Sequence, residues 1–494
     1  MLTPDSIASA AVLSGAAALG FLFIKYHDRA VFYDRPEGVM FNPGAPLFGS
    51  LFEQIKNKER ILEATDDRLK KFDTLTFAQT VLGLPPQIMT IDPNNVEYIL
   101  KTNFSNYVKG PQNAMGDLFG HGIFVANGEQ WKYQRKAASL IFNVVNFRDH
   151  FTGVVFVKEL NILSKNIFDK KAENGKSVDF HDVIYKFTLD SFVYLGFGKQ
   201  LNSLLSKEKV PFAESFDICQ QKCFERFVDP FADLREALKP IFRPGTKTIK
   251  QHLKTVNDFA YTLVNERREQ LKNGGEYKDL LSRFMSARNE KNELLSDTEL
   301  RDTVLNFIIA GRDTTAQALS WTFYNLMLHP RIEAKLLSEI NEHVPEDTSS
   351  LDAPTWCEVL RLSPSVPSNL KTALEDDVLP DGTPVRKGDS VSWTPYAMGR
   401  SEKLWGPDAR SFRPERWITE DGDLRRESQG HWPAFHAGPR VCLGQNLATL
   451  EGIVAIVMLL KRYKFSLAPS QEVTYTISLT HPMKNGMKVF VERR

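Results

Sequence analysis

One long apolar run, residues 300–328, constrains the fold more than any other feature of the chain. At the standard helical rise it is about 40 Å long. A helix that long and that apolar on all sides has no face to offer water, so other elements have to pack around it. Helical patterning continues through most of the chain beyond Phe52. Short strand-like runs interrupt it at 74–81 and 87–91, which enclose the turn signal GLPP, and again at 486–491. The expectation is a mainly α protein with a small β region, organised about a central helix. No internal repeat or low-complexity tract divides the chain.

That helix is not uniformly apolar. NFIIAGRDTTAQALSW, residues 306–321, carries four consecutive polar residues, Arg312 to Thr315. Gly311 in a helix interior costs about 1 kcal/mol relative to Ala. Ala310 and Thr314 are four apart on one face, where small side chains leave room for a ligand to approach the backbone. A Thr hydroxyl can bond back to the carbonyl four residues earlier and loosen the helix. Asp313 sets a proton-carrying group beside it. Two readings fit: a proton relay opening onto a cavity, or a polar kink satisfied by neighbouring helices.

A second signal is FHAGPRVCLG, residues 435–444, a Gly/Pro-rich loop leading straight into an apolar helix pattern. A thiolate at Cys442 needs backbone N–H groups to stabilise its charge, and the start of that helix provides them. Close approach to a flat cofactor needs glycine, present at Gly438 and Gly444. An acidic group on the cofactor needs a cation, and Arg440 is two residues away. An inert cysteine needs none of these. Farther upstream, TWCEVLRLSPSVP (355–367) places Glu358 and Arg361 on one helical face among apolar residues, and SFRPERW (411–417) supplies Arg413, Glu415 and Arg416. A solvated pair there contributes little, whereas a buried carboxylate shared by two Arg side chains fixes geometry.

On these residues the chain resembles the cytochrome P-450 superfamily of haem-thiolate monooxygenases. Phe435, Gly438, Arg440, Cys442 and Gly444 match its haem-binding signature, and Ala310, Gly311, Asp313 and Thr314 its oxygen-activation motif. Glu358, Arg361 and Arg416 match its Glu-x-x-Arg triad. Trp131 and Arg135 in WKYQR match the pair that contacts a haem propionate. The resemblance implies the P-450 fold with its long helix over haem b (iron protoporphyrin IX), and Cys442 as axial iron ligand. It implies Thr314 and Asp313 as proton carriers, and the triad as structural. NADPH and flavins would act only through a partner NADPH-dependent reductase, since no flavin or nicotinamide module is present. Exposed Lys132 and Lys136 beside the Trp131 pair are candidates for docking that reductase; a plain solvated face is the alternative.

IIAGRDTTAQALSW, NYVKGP (106–111), GHGIFVANGEQW (120–131) and PMKNGMKV (482–489) resemble the fungal and plant alkane and fatty-acid hydroxylases. The implied reaction inserts one oxygen atom from O2 into a C–H bond of a lipophilic chain, with the terminal carbon a candidate. Leu118, Phe119, Val366 and Leu479 are the substrate-lining candidates. His436 stands where that branch usually has Asn, and His481 where it has an apolar residue. The alternatives are a haem-thiolate isomerase or dehydratase of lipid hydroperoxides, a monooxygenase of another lipophilic compound such as a secondary metabolite, or a non-catalytic haem binder.

The charges nearly cancel, 62 Lys+Arg against 61 Asp+Glu, which leaves no basic excess for nucleic acid. Cys219, Cys223, Cys357 and Cys442 form no disulfide framework and fit a reducing compartment. Cys219 and Cys223 are four apart without further ligands, as expected of core packing. The uncharged stretch 7–24 is long enough to span a bilayer, and Lys25, His27 and Arg29 follow it. The expected division is a membrane anchor at 1–28, a Pro/Gly-rich linker at 29–50, and a haem-thiolate catalytic domain at 51–494. The anchor would sit in the endoplasmic reticulum membrane with the catalytic domain facing the cytosol.

Overall fold

The computed structural model describes residues 4–494 apart from 111–113, 143–154, 207, 209, 276, 278, 290 and 344–352; the side chains of 4–11 and 140–142 also lie outside the description. The helices that matter for the site are α1 (Pro4–Lys25), α2 (Gly128–Phe142), α3 (Phe180–Phe197), α4 (Pro211–Val228), α5 (Ala232–Phe242), α6 (Ala353–Leu362) and α7 (Gln445–Arg462). The central helix runs between α5 and α6 in the chain as Asp297–Ile308, a wide π turn at Ile309–Asp313, and Thr314–Leu328. It begins three residues earlier than the apolar run, because Ser296 and Glu299 form a capping box that tolerates a polar first turn.

Apolar side chains around the helix form the larger core, including Phe187, Phe192, Phe216, Ile308, Leu319, Val359 and Ile456, all buried. A six-stranded sheet forms the small β region. Its strands are β1 (Met40–Phe41), β2 (Thr76–Gln79), β3 (Gln87–Thr90), β4 (Tyr107–Val108), β5 (Asn369–Ala373) and β6 (Ser390–Trp393), in the spatial order β1-β2-β3-β6-β5-β4. β2 and β3 are the antiparallel pair expected around GLPP. The strand expected at 486–491 is Lys488–Arg493, paired with Tyr463–Leu467. A second apolar cluster lies under the sheet, with Ile88, Leu100, Tyr107 and Trp393 buried around Ala437 of the cysteine loop. The sheet thus fixes one end of that loop.

The Pro/Gly-rich stretch 29–50 is tied to the body. Ala30 N–H donates to Thr80 Oγ1 at 2.9 Å, Tyr33 donates to Leu84 O at 2.7 Å, and β1 pairs in parallel with β2. The anchor expected at 1–28 is not supported. Among the described residues no helix is long and apolar enough to cross a membrane. Residues 4–25 do form one helix. Val12, Leu13, Phe21 and Ile24 on it are exposed.

Candidate active site

The central helix is loosened where its polar block lies. Thr314 Oγ1 donates to Ala310 O at 2.7 Å, and Ser365 Oγ donates to Thr314 O at 2.8 Å. The side-chain bonds take up carbonyls that the π turn frees from the regular ladder. Ala310, Gly311 and Thr314 are only half buried, whereas Leu305, Ile308, Arg312, Asp313 and Thr315 are buried. A Cβ on Gly311 would lie 1.9 Å from the ring of Phe192, so the glycine exists to let α3 close on the helix.

Asp313 is held by its surroundings rather than by solvent. Gln220 Nε2 on α4 donates to its Oδ2 at 2.7 Å, and Arg312 Nη1 stands 3.1 Å from its Oδ1. Burial pushes its acid up to about 6, with the Arg312 guanidinium opposing. A carboxyl at that value exchanges its proton near neutral pH, which suits a proton carrier.

The cysteine loop is shaped by its backbone. Cys442 N–H donates to Phe435 O at 2.9 Å, and Gly444 caps α7. Gly438 has φ +60°, and a Cβ on it would meet Leu100 O at 2.0 Å, so it packs closely against a neighbouring segment. His436 also has a positive φ, 64°. Asn and His are among the few side chains that tolerate this region, which accounts for the exchange at this position. Its ring lies edge-on to Trp393, with Nε2 buried and without a partner. The Cys442 thiol is accessible, yet burial still pushes it up, opposed by the Gly444 N–H and Arg135. An accessible thiol in buried surroundings lines an internal cleft rather than the outer surface.

Four cations surround this loop, and none forms an ion pair with a described carboxylate. Arg440 donates to Ala126 O at 2.7 Å and to Asn127 Oδ1 at 3.1 Å, and stacks over Trp131 at 4.5 Å. Burial and Arg135 lower it to about 10. Lys109 is lowered to about 8 by burial and Arg440, and Lys371 to about 6 by burial, Lys109 and Arg440. Buried cations without counterions are costly, so such a cluster is built for an anionic guest. The sequence reading missed Lys109 and Lys371. They are brought together by the β4–β5 register, in which Val108 pairs with Thr372.

A cytochrome P450 family model matches residues 40–487. The chain belongs to the cytochrome P450 family. It is 36% identical to cytochrome P450 704B1 of Arabidopsis thaliana, over 91% of this chain and 94% of that one. It is 35% identical to cytochrome P450 monooxygenase cyp1 of Mycosarcoma maydis, over 95% and 78%. The crystal structure of the cytochrome P450DA heme domain superposes with a TM-score of 0.76 at 22% identity, covering 92% of this chain and 98% of that one, a likeness of fold. P450 enzymes are monooxygenases that use haem b and O2, act on lipophilic substrates and receive electrons from a partner reductase. The residues here fit haem b: an accessible thiol in an interior cleft, and an unbalanced cationic cluster for two propionate carboxylates.

The P450 triad is buried. Glu358 accepts from Arg361 Nε and Nη2 at 2.8 and 2.7 Å, from Arg416 Nε at 3.0 Å, from Trp417 Nε1 at 2.9 Å and from Arg413 N–H at 2.8 Å. Trp417 packs on Trp432, and Trp432 on Phe435, so an aromatic chain connects the triad to the cysteine loop. Of the substrate-lining candidates, Val366 and Leu479 are half buried, but Leu118 and Phe119 are 0% and 1% exposed. Phe119 meets Phe216 edge-on, so both are core residues in this conformation, contrary to expectation. His481 lies stacked on Trp321, with neither ring nitrogen bonded. Cys219 and Cys223 are buried, and burial raises both thiols. Lys132 and Lys136 are exposed on α2, Lys132 paired with Glu129. Pro111 of NYVKGP lies outside the described residues.

Proposed function

We propose that the chain is a membrane-attached monooxygenase that hydroxylates a long aliphatic chain, a fatty acid or alkane, with the terminal carbon as favoured position. The observation that carries the reading is a buried carboxyl, Asp313, next to Thr314, whose hydroxyl donates to Ala310 O in a loosened helix turn. The reaction consumes the C–H substrate, O2, two electrons from the reductase and two protons, and yields the alcohol and water. Haem b, held by Cys442, supplies the oxygen chemistry when bound. Arg440, Arg135, Lys109 and Lys371 would neutralise its propionates, Trp131 buttresses Arg440, and the triad holds the loop through Trp417 and Trp432. Asp313 holds one proton and passes it to Thr314 Oγ1, which releases Ala310 O to hand its own proton onward. Half-buried Val366 and Leu479 offer apolar contact to the chain.

A hydroperoxide isomerase needs no imported protons, and Asp313 with Thr314 speaks against that alternative. Membrane attachment draws on two apolar surfaces. One is α1, with Phe21 and Ile24 at 64% and 77% exposure. The other is α5, where Leu234, Ile241 and Phe242 are exposed beside Arg235 and Lys239. Lys25 and Arg29 after the apolar helix favour a body on the cytosolic side of the endoplasmic reticulum membrane. The test is product formation from aliphatic substrates with O2, NADPH and reductase, set against product formation from lipid hydroperoxide alone. The account expects hydroxylation only in the first mixture; rearrangement only in the second would overturn it.

A further inference from the structure

The two charges of the wide turn are held from another helix. Asp217 and Gln220 lie three apart on one face of α4. Asp217 grips Arg312 with both oxygens, at 2.7 and 3.2 Å, while Gln220 donates to Asp313 Oδ2. Asp217 has a side chain 46% exposed, whereas those of Arg312 and Asp313 are 3% and 2% exposed. It is the member of this group that reaches solvent. Arg312 stands between two carboxylates. It is aligned on the one from α4, and the nearer oxygen of Asp313 has no aligned donor.

Few other charges bear on this turn. From α3, Tyr185 lies under Arg312 at 4.9 Å and accepts from Gln317 at 2.7 Å. His181, beside Ser320, is kept neutral by burial and Arg312. Glu451 on α7, bonded to Thr315, is kept as the neutral acid by burial.

We propose that Asp217 and Gln220 are positioning residues that set the proton affinity of Asp313 from α4, in opposite directions, so that the relay is tuned only while α4 is packed on the central helix. This rests on the Asp313–Thr314 reading above. By holding Arg312, Asp217 keeps that cation from locking Asp313 as the carboxylate. By donating to the carboxylate, Gln220 favours the charged form. The directions agree with the influence of each group on Asp313, which Asp217 raises and Gln220 lowers. In the transfer, protonated Asp313 gives its proton to Thr314 Oγ1 as the hydroxyl proton of Thr314 leaves toward the site. Asp313 then takes up a proton from solvent, and the reductase supplies the electrons of the overall reaction.

The experiment is coupling, product formed per NADPH consumed, across pH in the haem-loaded enzyme with its reductase. Coupling needs protonated Asp313, so it is present below that group's pKa and lost as pH rises through it. Asp217→Asn frees Arg312 for Asp313, and the alkaline limb moves to lower pH by about one unit. Gln220→Leu moves the limb to higher pH, and Asp217→Glu restores it. Gln220→Met serves if the Leu variant does not fold, with the reduced-CO spectrum reporting an intact site. Limbs that move in one direction, or stay in place while Thr314→Ala uncouples, overturn the inference and leave the relay standing. If Asp313→Asn and Thr314→Ala also couple fully, the relay reading itself falls.

Discussion

Glu358→Gln is isosteric, yet the structure makes it severe. The two Glu358 oxygens accept five hydrogen bonds from donors on all sides, so either orientation of the amide turns an NH2 against at least two of them. Placed at Oε2, it meets Arg361 Nε and Trp417 Nε1. Placed at Oε1, it meets Arg361 Nη2, Arg416 Nε and Arg413 N–H. Each buried donor left unmade costs about 1–3 kcal/mol, and breaking a buried ion pair about 3–5 kcal/mol in all. For 494 residues the unfolding entropy near the midpoint is about 1 kcal/mol/K, so the melting temperature should fall by about 4 °C. The loss should pass along Trp417, Trp432 and Phe435 to the cysteine loop, so thiolate-type CO binding should fade at lower temperature than in the parent. Thermal scans followed by that band give both readings. A shift under about 1 °C would refute the claim that this carboxylate is buried and fully engaged.

Three further outcomes follow from the same geometry. Gly311→Ala gains about 1 kcal/mol of helix propensity but drives a Cβ into Phe192, so it should destabilise by about 1–3 kcal/mol net, with partial rescue by Phe192→Leu in urea titrations. Lys371→Met removes one of four cations from the cluster and should speed haem transfer to apomyoglobin several-fold; unchanged release would remove Lys371 from the propionate site. Reversing Lys132 and Lys136 to Glu should raise the apparent KM for the reductase without altering the reduced-CO spectrum, and unchanged reductase kinetics would discard docking at α2.

What was legible in the sequence was local. The central helix, its loosened turn and the cysteine loop are each written in one continuous stretch, because side-chain-to-backbone bonds such as Thr314 to Ala310 act over a single turn. The triad residues were legible as types, but their burial was not, since it depends on Trp417 and Arg413 arriving from another segment. Lys109 and Lys371 were invisible because a lysine in a strand-like stretch reads as surface; only the β4–β5 pairing brings them together. Gly311 and Gly438 each meet a neighbouring element, Phe192 or Leu100, which no single stretch of sequence shows. His436 stood unexplained until its positive φ showed that the loop selects for backbone tolerance. Leu118 and Phe119 were read as lining a pocket and are core, since an apolar residue carries no mark of which it will be.

The central claim is that Cys442 is the thiolate that holds haem iron. The most direct test is the reduced-CO spectrum of the purified haem-loaded protein beside that of Cys442→Ser. The account predicts the band of thiolate-ligated haem in the parent and its loss in the variant, with haem still bound by the cationic cluster. Retention of that band in Cys442→Ser would contradict it.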